Sequence, residues 1–443
     1  MKVEPVSDKK PTAMVWLRND LRVHDQKSFA LATKSGLKVI AYYSFDPQQY
    51  KTTKWGFKKT DVYRAKFLIE TLSELKKTLN DLNISLIVDN IEPATGIANW
   101  VKTINIKEIY FQKEWTQEER FVEDKLRSNL DSEINFHTNY DQFLFHPEDI
   151  SFQLNDLPEI FTQFRKQCEK NSFVRQLSEE ISPLSKENLL DQSFSIPTLT
   201  ELGLEIKKTN PNSAFPFRGG TSQAKIRIQH YFWETKKLSF YKQTRNGLVG
   251  VDYSSKFSAW LANGSISPRQ LYWEIISYEK EIKKNQSTYW LIFELIWRDY
   301  FKYISLKHQN AIFHLGGILK KEYQWENDPE KVKNWINGTT EESFVNANMI
   351  ELQKTGWMSN RGRQNVASYF AKDLLLDWRI GAAYFESQLI DYDVHSNYGN
   401  WMYVAGVGND PRDRKFNISW QAQKYDSQNK FQKLWLKYRS THQ

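Results

Sequence analysis

Gly356-Trp357-Met358-Ser359-Asn360-Arg361-Gly362-Arg363-Gln364-Asn365 opens a stretch that continues as Lys372-Asp373-Leu374-Leu375-Leu376-Asp377-Trp378-Arg379. It closes as Asp391-Tyr392-Asp393-Val394-His395-Ser396-Asn397-Tyr398-Gly399-Asn400-Trp401. Arginines, amides, carboxylates and the indoles of Trp357, Trp378 and Trp401 alternate here with apolar residues, an order that core packing alone does not require. Buried polar atoms must find hydrogen-bond partners, so polar groups this dense point to a buried polar site. Asn360 and Arg363 lie one turn apart if a helix has begun there, and Asp391, Asp393 and Asn397 follow on a loop. A guanidinium, two carboxylates and an amide match the donors and acceptors of a planar heterocycle.

Two other segments belong with it. Tyr241 and the run Asp252-Tyr253-Ser254-Ser255-Lys256-Phe257-Ser258 put hydroxyls and a lysine before an apolar helix. Such a helix start holds a phosphate or is simply N-capped, and both readings stand. In Trp290 to Asp299, the residues Trp290, Glu294, Trp297 and Arg298 fall at i, i+4, i+7 and i+8, one face of a helix. That face is either an aromatic recognition surface or a core stripe with a salt bridge.

Outward from these segments, the chain after Phe217-Arg218-Gly219-Gly220 is helical almost to its end, in runs such as Thr221 to Thr235, Ser267 to Glu281, Ser287 to Leu306 and Asn365 to Arg379. Before it the pattern differs. Ala13 to Leu17, Val39 to Tyr43, Ile84 to Val88, Ile109 to Phe111 and Ile134 to His137 read as strands, with helical spacing over Asp61 to Leu82 and Thr116 to Leu130. That alternation predicts a Rossmann-like parallel sheet wrapped by helices. No Gly-x-Gly-x-x-Gly follows the first strand, so the usual dinucleotide fingerprint is absent. His24 beside Asp25 reads as hydrogen-bonding a turn rather than as a catalytic pair, since no nucleophile motif accompanies it. Between the two halves, a proline-, serine- and asparagine-bearing stretch reads as a connection with a few helical turns. The division is therefore an α/β domain over 12–140, a connection over 141–205 and an all-α domain over 206–443.

Bulk composition narrows the partners. One cysteine, Cys168, excludes an internal disulfide framework and a multi-cysteine metal site, and suggests a reducing compartment. No metal site is expected. The amino terminus from Met1 to Pro11 is polar, and no window of about 18 apolar residues occurs, so a soluble, cytoplasmic protein without a membrane span is expected. Net charge is +8, favouring anionic partners, nucleic acid foremost. Sixteen tryptophans and 15% aromatic residues exceed what core filling usually calls for, which suits stacking on a planar cofactor or on bases.

Together these segments resemble the photolyase and cryptochrome family, from Val15-Trp16-Leu17-Arg18-Asn19-Asp20-Leu21-Arg22 to Arg414-Lys415-Phe416-Asn417. Within it they look most like the cryptochrome DASH branch, through Tyr241-Lys242-Gln243-Thr244-Arg245-Asn246-Gly247, Ser287-Thr288-Tyr289-Trp290, Asn360 to Val366 and Gly406-Val407-Gly408-Asn409-Asp410-Pro411-Arg412. The resemblance implies one non-covalent FAD in the helical domain. It implies that Tyr241, Ser254, Ser255, Lys256, Phe257 and Ser258 hold the phosphates and ribityl chain. Asp391 and Asp393 would face the ribose and flavin edge, with Arg363 salt-bridged to Asp391, and Glu294, Arg298 and Asn360 would also line the cofactor. Asn397 would sit opposite flavin N5. A neutral amide there, as in the repair enzymes, would let the flavin rest as the anionic reduced form.

The resemblance further implies light-driven splitting of cyclobutane pyrimidine dimers by electron transfer from reduced FAD, the protein supplying position and electrostatics. Glu294, Asn360, Trp297, Gln364 and Tyr403 would contact the lesion, and Trp401, Trp378 and Trp325 would relay electrons from the surface. Gln364 stands where the family's duplex enzymes have methionine, and Tyr403 where they have tryptophan. Less apolar contact repays base extrusion less well, so single-stranded DNA is the expected substrate. Arg361 and Arg414 match positions that approach the DNA backbone, against a reading as solvated arginines. Glu118 and Glu119 lie where a methenyltetrahydrofolate antenna would be contacted, although acidic residues also suit a helix start. His395 stands where DASH sequences commonly have cysteine. A monomer is expected. The alternative is a blue-light signalling receptor with weak or no repair; Asn397, the lesion-contact residues and the lack of a long carboxy-terminal extension weigh against it.

Overall fold

The structure is a computed structural model that describes residues 10–410 and 412–438. The polar stretch at 1–9, Pro411 of the DASH-like motif and the tail at 439–443 lie outside the described residues.

Five strands, β1 (Thr12–Trp16), β2 (Lys38–Ser44), β3 (Ser85–Asp89), β4 (Ile106–Gln112) and β5 (Asn135–Asn139), form one parallel sheet in the order β3-β2-β1-β4-β5. The crossovers carry α1 (Lys27–Ala32), α2 (Val62–Asp81), α3 (Pro93–Thr103) and α4 (Gln117–Asn129). Successive strand residues face opposite sides, and β1 shows both covered. Ala13 and Val15 pack with Leu72, Leu75 and Leu79 of α2. Met14 and Trp16 pack with Ile97 and Trp100 of α3 and Leu126 of α4. The chain runs from β1 outward to β2 and β3, then crosses back to β4 on the other side of β1, so the carboxyl ends of β1 and β4 open a crevice at the switch point.

The connecting segment is no free tether. Phe143, Leu144, Phe145 and, on α5 (Phe161–Asn171), Phe164 and Cys168 are buried in the core of the helical half. Farther along, Leu202 and Leu204 are buried against α2 and the sheet. His24 and Asp25 take part in no catalytic pair: His24 meets Glu180 near the surface at 2.8 Å, whereas Asp25 is buried and bonded to Ser267 and Arg269 across the two halves.

Helices of the second half are α6 (Thr221–Ile228), α7 (Tyr241–Thr244), α8 (Ser258–Ala262), α9 (Pro268–Glu281), α10 (Gln286–His308), α11 (Pro329–Asn337) and α12 (Ser343–Thr355). After them come α13 (Asn360–Ser368), α14 (Trp378–Gln388), α15 (Val394–Ala405), α16 (Ile418–Tyr425) and α17 (Lys430–Leu436). The expected single helix over Asn365 to Arg379 is not formed. It widens into a π-helical turn at Tyr369–Asp373, breaks at Leu375 (φ 54°), and restarts where the Asp377 carboxylate accepts the Arg379 N–H at 3.0 Å. The apolar run Leu374 to Leu376 hides this stop, because its spacing suits a helix while Asp377 is an N-cap. Thr221 to Thr235 likewise ends in a π-helical turn, Gln229–Glu234. No helix among the described residues is long and apolar enough to cross a membrane.

Candidate functional site

The Ser359 hydroxyl accepts the Gly362 N–H at 2.9 Å and starts α13, which puts Asn360 on the surface and turns Arg363 inward. Arg363 donates Nε to the Met358 carbonyl at 3.0 Å and one terminal nitrogen to both Asp391 oxygens at 2.9 Å. Gln364 is half-buried, and its Oε1 has no hydrogen-bond partner. Asp393 caps α15 through the Ser396 N–H at 2.8 Å and meets Lys302 of α10 at 3.0 Å. Burial opposes its charge, yet Lys302 and the other cationic groups nearby hold its carboxyl well below the usual carboxylate range. Asn397 does not share the Asp391 loop: it lies in α15, where the helix set by the Asp393 cap carries it inward to donate to the Ala382 carbonyl at 3.0 Å.

On α10 the aromatic and charged face forms as spaced. Glu294 pairs with Arg245, just past α7, at 2.8 Å, and Arg298 instead fastens the Gln142 and Leu261 carbonyls at 2.6 and 3.0 Å. The Glu294 side chain keeps 28% of its surface exposed. Burial raises its carboxyl above the usual value, and Arg245 pulls against that rise. The Trp297 ring stacks on Phe161 at 3.6 Å and meets Tyr403 edge-on at 6.1 Å. Lys242 sits 4.4 Å from the Trp290 ring.

Arg227 shapes the turn before α8, reaching Asp252 at 2.6 Å and the Ser254 and Ser255 carbonyls at 3.0 and 3.1 Å. At its apex Lys256 takes a left-handed backbone, φ 68°. Its Nζ is buried over the rings of Tyr253, at 3.2 Å, and Trp357, at 4.8 Å, without a hydrogen-bond partner. Burial drives this amine well below its ordinary pKa. Glu351 of α12 is its counterpart, fully buried with neither oxygen partnered; burial pushes its carboxyl up to about 8 against the pull of Lys256 and Arg363. Sequence reasoning missed Glu351, Arg227 and Lys302 as site residues. Arg245 lay inside a quoted motif, but the other three carry no local signal, because their roles arise from residues distant in the chain.

Trp401 and Trp378 are buried in one apolar core, with Trp325 packed at its margin. A methyl at Gly381 would come within 2.2 Å of the Trp401 ring, so a glycine there lets α14 approach α15. Trp401 packs on Phe385 and Trp335, and its Nε1 has no partner. Trp378 donates Nε1 to the Leu315 carbonyl at 2.9 Å, and Trp325 meets Tyr323. The three indoles do not stack on one another. Arg414 is half-exposed beside Asp410 at 3.2 Å. Arg361 is no freely solvated arginine: it is half-buried, with its guanidinium 4.6 Å from the Tyr425 ring.

A cleft of about 880 Å³ occupies the crevice at the carboxyl edge of the sheet, closed from the helical side by Arg298, Lys302, Tyr392, Asp393, His395 and Tyr398. Glu118 and Glu119 of α4 line it; Glu118 pairs with Lys59, and burial together with Glu114 raises the Glu119 carboxyl to about 7. His395 stacks on Trp115 at 4.6 Å and bonds Ser305 at 2.7 Å. Burial and the Lys302 charge keep its imidazole neutral.

Two family descriptions match this chain: "DNA photolyase" over residues 13–183 and "FAD binding domain of DNA photolyase" over residues 290–441. A cryptochrome DASH of Xenopus laevis is 45% identical over 428 residues, covering 95% of this chain and 81% of that protein. A cryptochrome DASH of Synechocystis is 45% identical over 429 residues, covering 96% of this chain and 87% of that protein. The crystal structure of a Synechocystis cryptochrome superposes with a TM-score of 0.91 at 44% identity, over 97% of this chain and 89% of that one. The fold is shared more distantly with an archaeal photolyase from Sulfolobus tokodaii, at 24% identity and a TM-score of 0.78, over 96% of this chain and 91% of that one. The chain belongs to the photolyase and cryptochrome family. Its helical half carries that family's FAD-binding domain, and its relatives at this level of identity are cryptochromes DASH.

Proposed function

We propose that this protein is a light-driven repair enzyme for cyclobutane pyrimidine dimers, acting on single-stranded DNA in preference to duplex. The observation that carries the reading is the buried, unpartnered Lys256 amine above a turn rich in hydroxyls, in a chain with an FAD-binding domain. A buried amine with no hydrogen-bond partner is costly, and a diphosphate would supply its acceptors and favour its charged form. The unpartnered Gln364 Oε1 and Trp401 Nε1 add to the fit.

Tyr241, Ser254, Ser255, Lys256, Phe257 and Ser258 would hold the phosphates and ribityl chain, and Asp391, Asp393, Glu294, Arg298 and Asn360 the rest of the cofactor. Arg363 fixes Asp391, and Lys302 keeps Asp393 ionised. Asn397, a neutral amide, has no proton to give to the ring. FAD, if bound and reduced, would lend an electron on excitation by blue light and take it back once the dimer has split, so the chemistry would be redox-neutral overall. Glu294, Asn360, Trp297, Gln364 and Tyr403 would receive the flipped lesion, Glu294 accepting from a pyrimidine N–H. Trp401, Trp378 and Trp325 would conduct electrons inward, and Arg361 and Arg414 would meet the DNA backbone. A folate antenna would sit in the cleft beside Glu118 and Glu119, whose carboxylates accept from a pterin edge.

A second reading, light signalling without repair, is supported by the name cryptochrome borne by the relatives above. Blue-light repair of a dimer-containing oligonucleotide, single-stranded and duplex, separates the two. Repair of the single strand well above the duplex is expected. Equal rates on both would refute the strand preference, and no repair by fully reduced protein would leave signalling as the better account.

A further inference from the structure

Trp420 keeps 50% of its surface exposed on α16, where its N–H is held by the Asn417 cap at 2.9 Å. Lys424, one turn later, places Nζ 4.6 Å from the Trp420 ring and 5.4 Å from the Tyr425 ring. Arg361 sets its guanidinium 4.6 Å from the other partner of this row, Tyr425, and reaches Gln421 and Asn246 at 3.5 and 3.3 Å. Ring, cation, ring and cation therefore alternate from Trp420 to Arg361, whose neighbour Asn360 opens α13 at the surface. The segment entering α16 adds Arg414 and Lys415, paired with Asp410 at 3.2 Å and Asp373 at 2.7 Å but with side chains still 51% and 58% exposed. The nearby carboxylates are engaged: Asp413 with Lys372 and Tyr323, and Asp426 with the Phe431 and Gln432 N–H groups.

An exposed indole continuous with a row of cations is how proteins hold unpaired strands, since every base has a face to stack and a phosphate to neutralise. We propose that Trp420 is a stacking platform for an unpaired base flanking the lesion, at the outer end of the row that begins at Arg361. The proposal rests on the function inferred above. It gives that function a strand-selective contact outside the dimer pocket, because a base already paired and stacked in a duplex has no free face to offer.

The test compares binding of a thymine-dimer dinucleotide with that of a single-stranded oligonucleotide carrying the same dimer and about five nucleotides on either side. Trp420→Ala is expected to weaken the long ligand about 5- to 100-fold and to leave the dinucleotide unchanged. Trp420→Phe, which keeps a stacking face, should stay within about threefold of the parent. An equal loss on both ligands would assign Trp420 to packing and overturn the platform, as would no loss on either. Tighter, equally Trp420-dependent binding of the matching oligoribonucleotide would overturn the assignment to DNA. If the parent protein repairs the long substrate and Trp420→Ala binds it normally, only the platform falls. If the parent neither binds nor repairs it, the proposed function falls as well.

Discussion

Arg363 sets a single terminal nitrogen 2.9 Å from each carboxylate oxygen of Asp391, and the loop that carries Asp391 is thereby tied to the first turn of α13. Asp391 is 7% exposed, so its charge has little water to fall back on. Removing one partner of a buried pair costs about 3–5 kcal/mol, more than the pair contributes when intact. Arg363→Met should therefore destabilise the apoprotein by roughly that amount in urea unfolding and lose FAD on gel filtration. The double variant with Asp391→Asn should recover part of the stability, and a double-mutant cycle without coupling would contradict the pairing.

Glu351 gives a pH signature. Burial favours its protonated form in the fold, so its contribution to stability is whole below its ordinary value of 4.5 and is lost as pH rises through about 8. Glu351→Gln cannot ionise. Across that window the apoprotein variant should gain on the parent by up to about 1.4 kcal/mol per pH unit, read from unfolding midpoints at stepped pH. A constant difference would mean that Glu351 is ionised in the fold, with Lys256 as its counter-ion.

Much of this architecture is legible in the sequence because its signals are local. Alternation of β-rich and helical runs reports the parallel sheet, and Ser359, Asp393 and Ser267 announce helix starts within three residues of themselves. The stop at Leu375 is not legible, since a parallel bridge from Glu326 to Leu376 and a π-helical turn decide it. Glu351 and Lys302 are hidden for the same reason. An isolated glutamate or lysine on a helix reads as solvated surface until the partner that buries it, Lys256 or Asp393, is known.

Trp378 is buried with its Nε1 bonded to Leu315 at 2.9 Å, so Trp378→Phe deletes a hydrogen bond and part of the indole's volume while keeping an aromatic ring. The lost hydrogen bond should cost about 1–3 kcal/mol and the cavity adds to it, so FAD retention is measured alongside. Under the proposed electron path, light-driven reduction of the flavin by external donor should fall at least about tenfold, an increment of about 1.4 kcal/mol in barrier. Photoreduction at the parent rate would exclude Trp378 from the electron path. Lost FAD would instead show that the indole is needed for packing.

Under the proposed function, Gln364 and Tyr403 weaken contact with a flipped lesion, and their replacement should shift the balance between duplex and single strand. Gln364 ends in a half-buried amide whose Oε1 lacks a partner, and Tyr403 meets the Trp297 ring edge-on at 6.1 Å. Gln364→Met removes a polar group that must be desolvated when a lesion enters, and Tyr403→Trp enlarges the apolar wall facing it. Apolar contact at about 25 cal/mol per Å² would then repay more of the unstacking cost that a duplex imposes. The double variant should raise duplex repair relative to single-strand repair about 5- to 50-fold, with the gain in KM rather than in kcat, because extrusion precedes the electron step. A single-strand rate that rises in parallel would mean that these two residues set lesion affinity in general and do not discriminate between strands.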